Sequence, residues 1–282
     1  MNHLNTDKLW DVIVLGAGPA GSSLAATLAK AGWHTLLLER RRLPHHKVCG
    51  EFLSPEAQDT LRRLGLFQTV KALSPSPLKQ VRLVSARGAV AQAPLPGSAW
   101  GISRYRVDAA LANAARQNGV EVRTGVTATA VRPANGRFSV EIRSKGEPGT
   151  LQARAVVAAC GRHTRPGLPP AWTSRGGRSY VGLKCHYSQI SMPAQVELYF
   201  FPGGYAGTNP IEGGRVNVGL LVTREAFEQA GGSVSATITK VARDWNPALG
   251  RRLSGGEALP ETELAVAPVD LDRPAAPWDG IA

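Results

Sequence analysis

Six residues near the start of the chain have the types and the spacing of a phosphate-binding loop. Gly16, Gly18 and Gly21 form the pattern GxGxxG, with Pro19 and Ala20 between the last two glycines. The first glycine permits a tight turn, the second lets the backbone approach a pyrophosphate, and the third allows a helix to pack closely on a strand. A helix N-terminus offers free N–H groups and partial positive charge to phosphate. The motif predicts a dinucleotide site, and a glycine turn without a ligand is the alternative.

The elements that must position this loop are also readable. Residues 10–15 (WDVIVL) predict a buried strand, residues 19–31 a helix, and residues 35–38 a second strand that ends at Glu39. Together they form a βαβ unit. Glu39 follows the last glycine of the loop by 18 residues, where an acidic side chain binds the ribose hydroxyls. Because a carboxylate repels a 2′-phosphate, the motif favours FAD or NAD over NADP.

Four segments together resemble a known family. They are GAGPAG, the pair Glu39-Arg40, the stretch KVCGEFLSP and the stretch SRYRVDAALANAARQNGV at 103–120. The chain resembles the geranylgeranyl reductase-like branch of the FAD-dependent oxidoreductases. That branch shares its fold with the para-hydroxybenzoate hydroxylase-type monooxygenases and the flavin halogenases, and the resemblance covers residues 10–282 in order.

The resemblance implies an α/β fold in which a Rossmann-type FAD-binding domain is interleaved with an antiparallel-sheet substrate domain, in the glutathione reductase-like, hydroxylase-type arrangement. We expect the FAD-binding domain at 1–75 and 101–175 and the substrate domain at 76–100 and 176–270. Residues 271–282 resemble the start of a returning strand of the FAD-binding domain. We therefore expect the chain to be C-terminally truncated.

The resemblance also implies the cofactor, FAD, and the residues that bind it. The predicted contacts of FAD are Gly16, Gly18, Pro19, Ala20, Gly21, Glu39, Arg40, Cys49, Gly50 and Arg104. Cys49-Gly50 and Arg104 would face the flavin ring. A small buried cysteine and a salt bridge from Arg104 to Asp108 are the respective alternatives. The neighbouring His45, His46 and Lys47 are candidates for an anion contact or for an ordinary solvated loop.

A second set of residues is predicted to contact an apolar substrate. The reductase family has an aromatic-Phe-Pro segment beside the flavin, and the stretch VELYFFPGGYAG at 196–207 is similar to it. Tyr199, Phe201, Pro202 and Tyr205 would line that cavity, and an ordinary aromatic cluster in a sheet core is the alternative. No acid–base residue is fixed by a motif, so the catalytic residues stay unassigned.

Composition excludes several classes of function. The net charge of +12 comes from 33 Lys and Arg against 21 Asp and Glu. These basic residues are scattered and aromatics make up only 6%, so nucleic-acid binding is not predicted. No run of ~18 apolar residues predicts a transmembrane helix, although peripheral membrane contact stays open. The three cysteines are an odd number and form no CxxC motif, which favours the reducing cytoplasm over a disulfide-bonded compartment. Because the cysteines lack the spacing of metal ligands, no metal site is predicted.

The sequence predicts an FAD-dependent oxidoreductase that acts on a small hydrophobic substrate, such as a polyprenyl chain, by flavin hydride transfer. NAD(P)H is a candidate electron donor. One alternative is a flavin-dependent monooxygenase or halogenase. The monooxygenases of this fold carry an Asp-Gly pair where this chain has Cys160-Gly161, which weakens that alternative. The second alternative is a truncated, non-catalytic nucleotide-binding remnant.

Overall fold

The computed structural model describes residues 8–161 and 179–269. These residues fall into two compact units. Residues 8–45 and 105–161 belong to the first unit, and residues 46–104 and 179–269 to the second. The sequence predicts the first boundary after residue 75, and the first segment of the first unit ends at His45. The segment at 161–177, which is rich in Pro, Gly and Arg, predicts a linker. Its residues 162–177 and the predicted returning strand at 271–282 lie outside the described residues.

The described residues form strands and helices in the following order. The strands are β1 (Leu9–Leu15), β2 (Thr35–Glu39), β3 (Phe52–Leu53), β4 (Ser76–Val84), β5 (Val90–Gly101), β6 (Glu121–Thr124), β7 (Val126–Ala134), β8 (Arg137–Ser144), β9 (Glu147–Ala158), β10 (Tyr180–Ser188), β11 (Gln195–Phe201), β12 (Gly204–Pro210), β13 (Val216–Thr223) and β14 (Glu257–Val269). The α-helices are α1 (Pro19–Lys30), α2 (Pro55–Arg63), α3 (Phe67–Lys71), α4 (Arg104–Gln117), α5 (Arg224–Gln229), α6 (Val234–Lys240) and α7 (Pro247–Leu253). A 3-10 turn covers Glu212–Gly214, and a π-helical turn covers Val241–Trp245.

The first unit is built on a sheet with strand order β6-β2-β1-β9-β8-β7. Strands β6, β2, β1 and β9 run parallel, and β9, β8 and β7 form an antiparallel meander. In β1, Val14 lies beside Leu37 of β2 and Val157 of β9. This central position explains the nearly continuous apolar run of β1, because a strand of a covered parallel sheet is buried on both faces.

Alternate residues of β1 and β2 face two separate apolar clusters, as the period of two in a strand requires. On one face, Val14 and Leu37 pack with Ala25 and Ala26 of α1 and with alanines of α4. On the other face, the cluster joins β1 and β2 to β7, β8 and β9; its members include Ile13, Leu15, Leu36, Leu38, Val126, Ala128, Val140 and Ile142. The glycine loop that follows β1 is therefore carried by a fully packed strand.

The second unit contains an eight-stranded sheet with the order β14-β10-β13-β12-β11-β4-β5-β3. Its pairs are antiparallel except for β11 with β4. One apolar cluster joins this sheet to α6, the π-helical turn and α7 through Ile238, Val241 and Leu249. The predicted fold class, an α/β nucleotide-binding domain interleaved with a mostly antiparallel one, is confirmed.

Several elements differ from the sequence prediction for tertiary reasons. The sequence pattern predicts two short strands at 151–153 and 155–159, whereas β9 runs without a break from Glu147 to Ala158. It does so because it pairs with β1 on one side and with β8 on the other. Strand β14, which contains Pro260 and Pro268, was not predicted. Its prolines are tolerated because β14 is an edge strand that pairs only with β10.

Candidate functional site

The glycine loop has the geometry that its motif predicts. Gly16 has a φ of +104°, in the left-handed region that favours glycine, and its N–H donates to the Leu38 carbonyl oxygen at 2.7 Å. A Cβ on Gly16 would lie 2.5 Å from the Ala159 carbonyl oxygen, and one on Gly21 would lie 1.9 Å from the Gly16 carbonyl oxygen. Both positions therefore exclude every larger residue, and the third glycine brings α1 against the loop.

The N-terminus of α1 presents its backbone N–H groups without a side-chain cap. Gly18 is the N-cap residue and is extended, and Pro19 is the first helical residue, where its missing N–H is not needed. Within the described part of the chain, no side chain caps α1, and no acidic residue stands in its first turn. A helix end of this kind carries partial positive charge and suits a phosphate group.

Glu39 ends β2 beside this loop and is buried. Its Oε2 accepts a hydrogen bond from the Ala17 N–H at 3.0 Å, and its Oε1 accepts one from the Arg41 N–H at 3.0 Å. A carboxylate has about four acceptor positions, so lone pairs stay available for ribose hydroxyls. Arg40, which is half-buried, stands between Glu39 and Arg41 in the sequence. The glycine loop, the helix end and the carboxylate fit the ADP half of FAD.

The fold and this site define a dinucleotide-binding flavoprotein class. Residues 10–177 match the family described as "FAD binding domain", and the chain belongs to that family. FAD is accordingly its cofactor. This match confirms the cofactor that the resemblance implied.

Curated relatives include reductases. The chain is 28% identical over 232 residues to menaquinone reductase of Mycobacterium tuberculosis, covering 77% of this chain and 56% of that protein. It is 27% identical over 281 residues to digeranylgeranylglycerophospholipid reductase 2 of Methanopyrus kandleri, covering 96% of this chain and 66% of that protein. The chain thus spans less than two thirds of the length of either relative. The predicted resemblance is confirmed.

A solved structure shows the same fold. The myxobacterial chondrochloren halogenase CndH superposes with a TM-score of 0.82 at 24% identity, covering 98% of this chain and 67% of that one. Among the described residues, no helix is both long enough and apolar enough to cross a membrane.

The predicted flavin-facing residues Cys49, Gly50 and Arg104 are brought together in the second unit. The Asn217 side-chain amide donates to the carbonyl oxygens of Cys49 and Gly50 at 3.3 and 3.0 Å. The Glu51 N–H donates to Cys49 Sγ at 3.3 Å, and the Glu51 carboxylate accepts from the Arg104 N–H at 2.9 Å. Contacts of these residues and of Arg40 with FAD stay predictions.

Sequence reasoning missed a buried polar cluster next to this turn. The Lys184 ammonium donates to Glu51 Oε1, and His186 Nε2 lies 2.6 Å from Glu51 Oε2. The rings of His46 and His186 meet edge to face with centroids 5.3 Å apart. A signal was present, because Lys184 and His186 occupy alternate positions of the otherwise mostly apolar segment 181–186 and so share a face.

Electrostatics keep the Glu51 carboxyl ionised. Burial alone would raise its pKa, but the hydrogen bond from His186 and the positive charge of Lys184 outweigh burial and hold the pKa below its ordinary value. Since an ionised carboxylate only accepts hydrogen bonds, the proton in the contact with His186 belongs to the imidazole Nε2. The cluster therefore holds a buried negative charge that is balanced by Lys184.

The predicted substrate residues do not share one surface. Tyr199 is fully buried and its hydroxyl donates to Glu197, and Phe201 stacks on Trp245 with centroids 5.6 Å apart. Pro202 is exposed at the turn between β11 and β12, and the exposed Tyr205 lies opposite Phe200. Tyr199 and Phe201 thus occupy the sheet core, as the alternative interpretation expected. A role of any of these residues in substrate binding stays a prediction.

Proposed function

We propose that this protein is an FAD-dependent oxidoreductase that acts on a hydrophobic, polyprenyl-type substrate. The observation that carries the proposal is the Gly16–Gly21 loop, with an uncapped helix N-terminus on one side and the Glu39 carboxylate on the other. The names of two relatives, menaquinone reductase and digeranylgeranylglycerophospholipid reductase 2, support the substrate class. Both names describe reductases, and the second names a lipid with two geranylgeranyl chains.

The division of labour follows from this geometry. Bound FAD supplies hydride transfer, and the protein supplies binding, orientation and exclusion of water. The N–H groups at the start of α1 would bind the pyrophosphate, and the Glu39 carboxylate would accept from the ribose hydroxyls. NAD(P)H as electron donor, a cytoplasmic location and contact with a membrane surface belong to the same proposal, and the apolar substrate class supports the last of these.

Removal of the Glu39 carboxylate tests the cofactor site. A hydrogen bond to a charged group contributes ~1.5–3 kcal/mol, and ~1.4 kcal/mol corresponds to a tenfold change in affinity. Glu39→Ala should therefore bind both ADP and FAD about tenfold more weakly or worse, as measured by isothermal titration calorimetry. Glu39→Gln keeps the side-chain shape and serves as the second variant, with circular dichroism to verify folding.

The matched control is Glu141→Ala, which removes an exposed carboxylate on β8 that pairs with Arg132. Its nucleotide affinity should equal that of the unchanged protein. In the same titration, the unchanged protein should bind ADP-ribose more tightly than its 2′-phosphate. Glu39→Gln should reduce this difference in affinity. If Glu39→Ala and Glu39→Gln bound ADP and FAD as tightly as the unchanged protein does, the basis of the proposal would be lost.

The chemistry itself is tested with the substrate class. With NAD(P)H as the source of electrons, anaerobic reduction of a quinone or polyprenyl alkene by the FAD-loaded protein supports the reductase. Oxygen consumption coupled to hydroxylation or halide oxidation, without anaerobic turnover, would replace it with a monooxygenase or halogenase.

A further inference from the structure

Glu51 adopts a backbone conformation that side-chain-bearing residues rarely take. Its φ is +53°, and it directly follows Cys49-Gly50. A non-glycine residue keeps such a conformation when its surroundings over-determine it, and residues of this kind concentrate at functional sites. The backbone of Glu51 is fixed at both ends. Its N–H donates to Cys49 Sγ, and its carbonyl oxygen accepts from the Ile102 N–H at 3.0 Å and the Asn209 amide at 3.3 Å.

The side chain of Glu51 is fixed as well. Oε1 accepts from the Lys184 ammonium and from the Arg104 N–H, and Oε2 accepts from His186 Nε2. The side chains of Glu51 and Lys184 are fully buried, and that of His186 is 1% exposed. Burial of two opposite charges costs desolvation that their attraction often fails to recover. Stability alone is therefore a weak explanation for this cluster, and the fixing of one geometry is a better one.

The same carboxylate serves the two segments that the sequence predicts to face the flavin. It is one residue from Gly50, and it accepts a hydrogen bond from the N–H of Arg104, the first residue of the 14-residue helix α4. A carboxylate at a helix N-terminus is also favoured by the helix dipole. A single group thus ties the position of the Cys49–Gly50 turn to that of Arg104.

We propose that Glu51 is a positioning residue which, with Lys184 and His186, holds the Cys49–Gly50 turn and the start of α4 in the geometry that the flavin ring requires. This inference rests on the proposed FAD-dependent function, because it assigns these two segments to the flavin. It adds to that function a buried charge cluster distinct from the glycine loop.

Three variants separate positioning from stability. Glu51→Gln keeps the side-chain shape but removes the negative charge, and Glu51→Gln with Lys184→Met removes both charges and should restore much of the lost stability. The matched control is Glu212→Gln. The Glu212 carboxylate accepts from the Ser103 N–H at 2.8 Å and the Ser103 hydroxyl at 2.5 Å, so it acts at the same helix end without contacting the turn.

The first readout needs no cofactor. The alkylation rate of Cys49 by a maleimide, followed by peptide mass spectrometry, reports how firmly the turn is held, and Cys160 is the internal reference. In both Glu51 variants the maleimide should alkylate Cys49 about fivefold faster or more than in the unchanged protein, because a loss of about 1 kcal/mol in local stability raises the open population by that factor. Glu212→Gln should label Cys49 at the rate of the unchanged protein.

The second readout compares FAD with ADP. In the Glu51 variants the absorbance and fluorescence of bound FAD should shift toward those of free flavin, while ADP affinity stays unchanged. Failure of the unchanged protein to bind either nucleotide overturns the proposed function, and with it this inference. If the unchanged protein binds both nucleotides, two results for the Glu51 variants would overturn the positioning inference: a Cys49 labelling rate equal to that of the unchanged protein, or a flavin signal in the double variant equal to that of the unchanged protein. It would also be overturned if FAD bound to the unchanged protein already gave the signal of free flavin, or if Glu212→Gln changed the labelling rate and the flavin signal as much as the Glu51 variants do.

Discussion

The surroundings of His46 lower the pKa of its imidazole. Burial, together with the positive charge of Lys184 and the neighbouring His186, lowers its pKa from 6.5 to about 4, and Arg215 acts in the same direction. Glu51 opposes this shift without cancelling it. The imidazole is therefore neutral in the folded protein at neutral pH.

This shift predicts a loss of stability in mild acid. Between pH 6.5 and about 4 the unfolded chain binds a proton at His46 that the folded chain does not, so the free energy of unfolding falls as the pH falls. His46→Gln should flatten this decline, as measured by urea unfolding from pH 7 to pH 4. The exposed His34→Gln is the control. Parallel curves for His46→Gln and the unchanged protein would contradict the expectation.

At the scale of elements, one buried carboxylate attaches helix α7 to the sheet of the second unit. Glu197 of β11 is fully buried, and the Arg252 guanidinium donates to its two oxygens at 2.7 and 2.6 Å. The Tyr199 hydroxyl and the Gln195 amide donate to the same carboxylate. Burial would raise the pKa of Glu197, but these donors, Arg252 foremost, hold it below its ordinary value. Its contribution to stability is therefore present at neutral pH and lost as the pH falls.

Loss of Arg252 should leave this carboxylate with too few partners. Removal of one member of a buried pair costs about 3–5 kcal/mol, and we expect the lower end because Tyr199 and Gln195 remain. Arg252→Met should reduce the free energy of unfolding at pH 7 by about 3 kcal/mol. Addition of Glu197→Gln should recover part of it, because the neutral amide oxygen still accepts from the Tyr199 hydroxyl. The adjacent exposed Arg251→Met should change it by less than about 0.5 kcal/mol. A similar loss in both single variants would refute the assignment.

At the scale of the whole molecule, each unit has its own apolar core. The clusters around β1 and β2 contain only residues of the first unit, and the cluster around β10 and β13 contains only residues of the second. Units with separate cores can open separately. A ligand that binds one unit then stabilises that unit by mass action.

ADP should therefore protect the first unit selectively. At 100 times its dissociation constant, ADP stabilises the folded state by ~2.7 kcal/mol, which slows exchange through full opening about 100-fold. Hydrogen exchange followed by mass spectrometry should show this slowing in β1 and β2 and little change in β11 and β13. Equal slowing in both sets of strands would show that the units open together.

Local features of the chain could be predicted because their partners are close in sequence. The glycine loop, α1 and Glu39 lie within the 24 residues from 16 to 39, and their spacing alone determines which groups meet. The fold class was predicted from the same βαβ unit together with the family resemblance. The surroundings of residues such as Tyr199 and Tyr205 could not be read from the sequence, because the face on which a strand residue lies depends on its register with neighbouring strands.

By itself the sequence determined the dinucleotide loop, its helix, the acidic residue of β2 and the family resemblance, because short-range sterics and hydrogen bonding fix these features. Only the tertiary structure revealed the Glu51 cluster. Its partners Lys184 and His186 are 133 and 135 residues away along the chain. They reach Glu51 because the turn that carries Glu51 packs against β10 and β13 through side-chain contacts, although β3, which follows Glu51, is at the opposite end of the sheet order from β10. No local pattern encodes which buried charge will balance another, so tertiary packing between segments far apart in sequence decides such contacts.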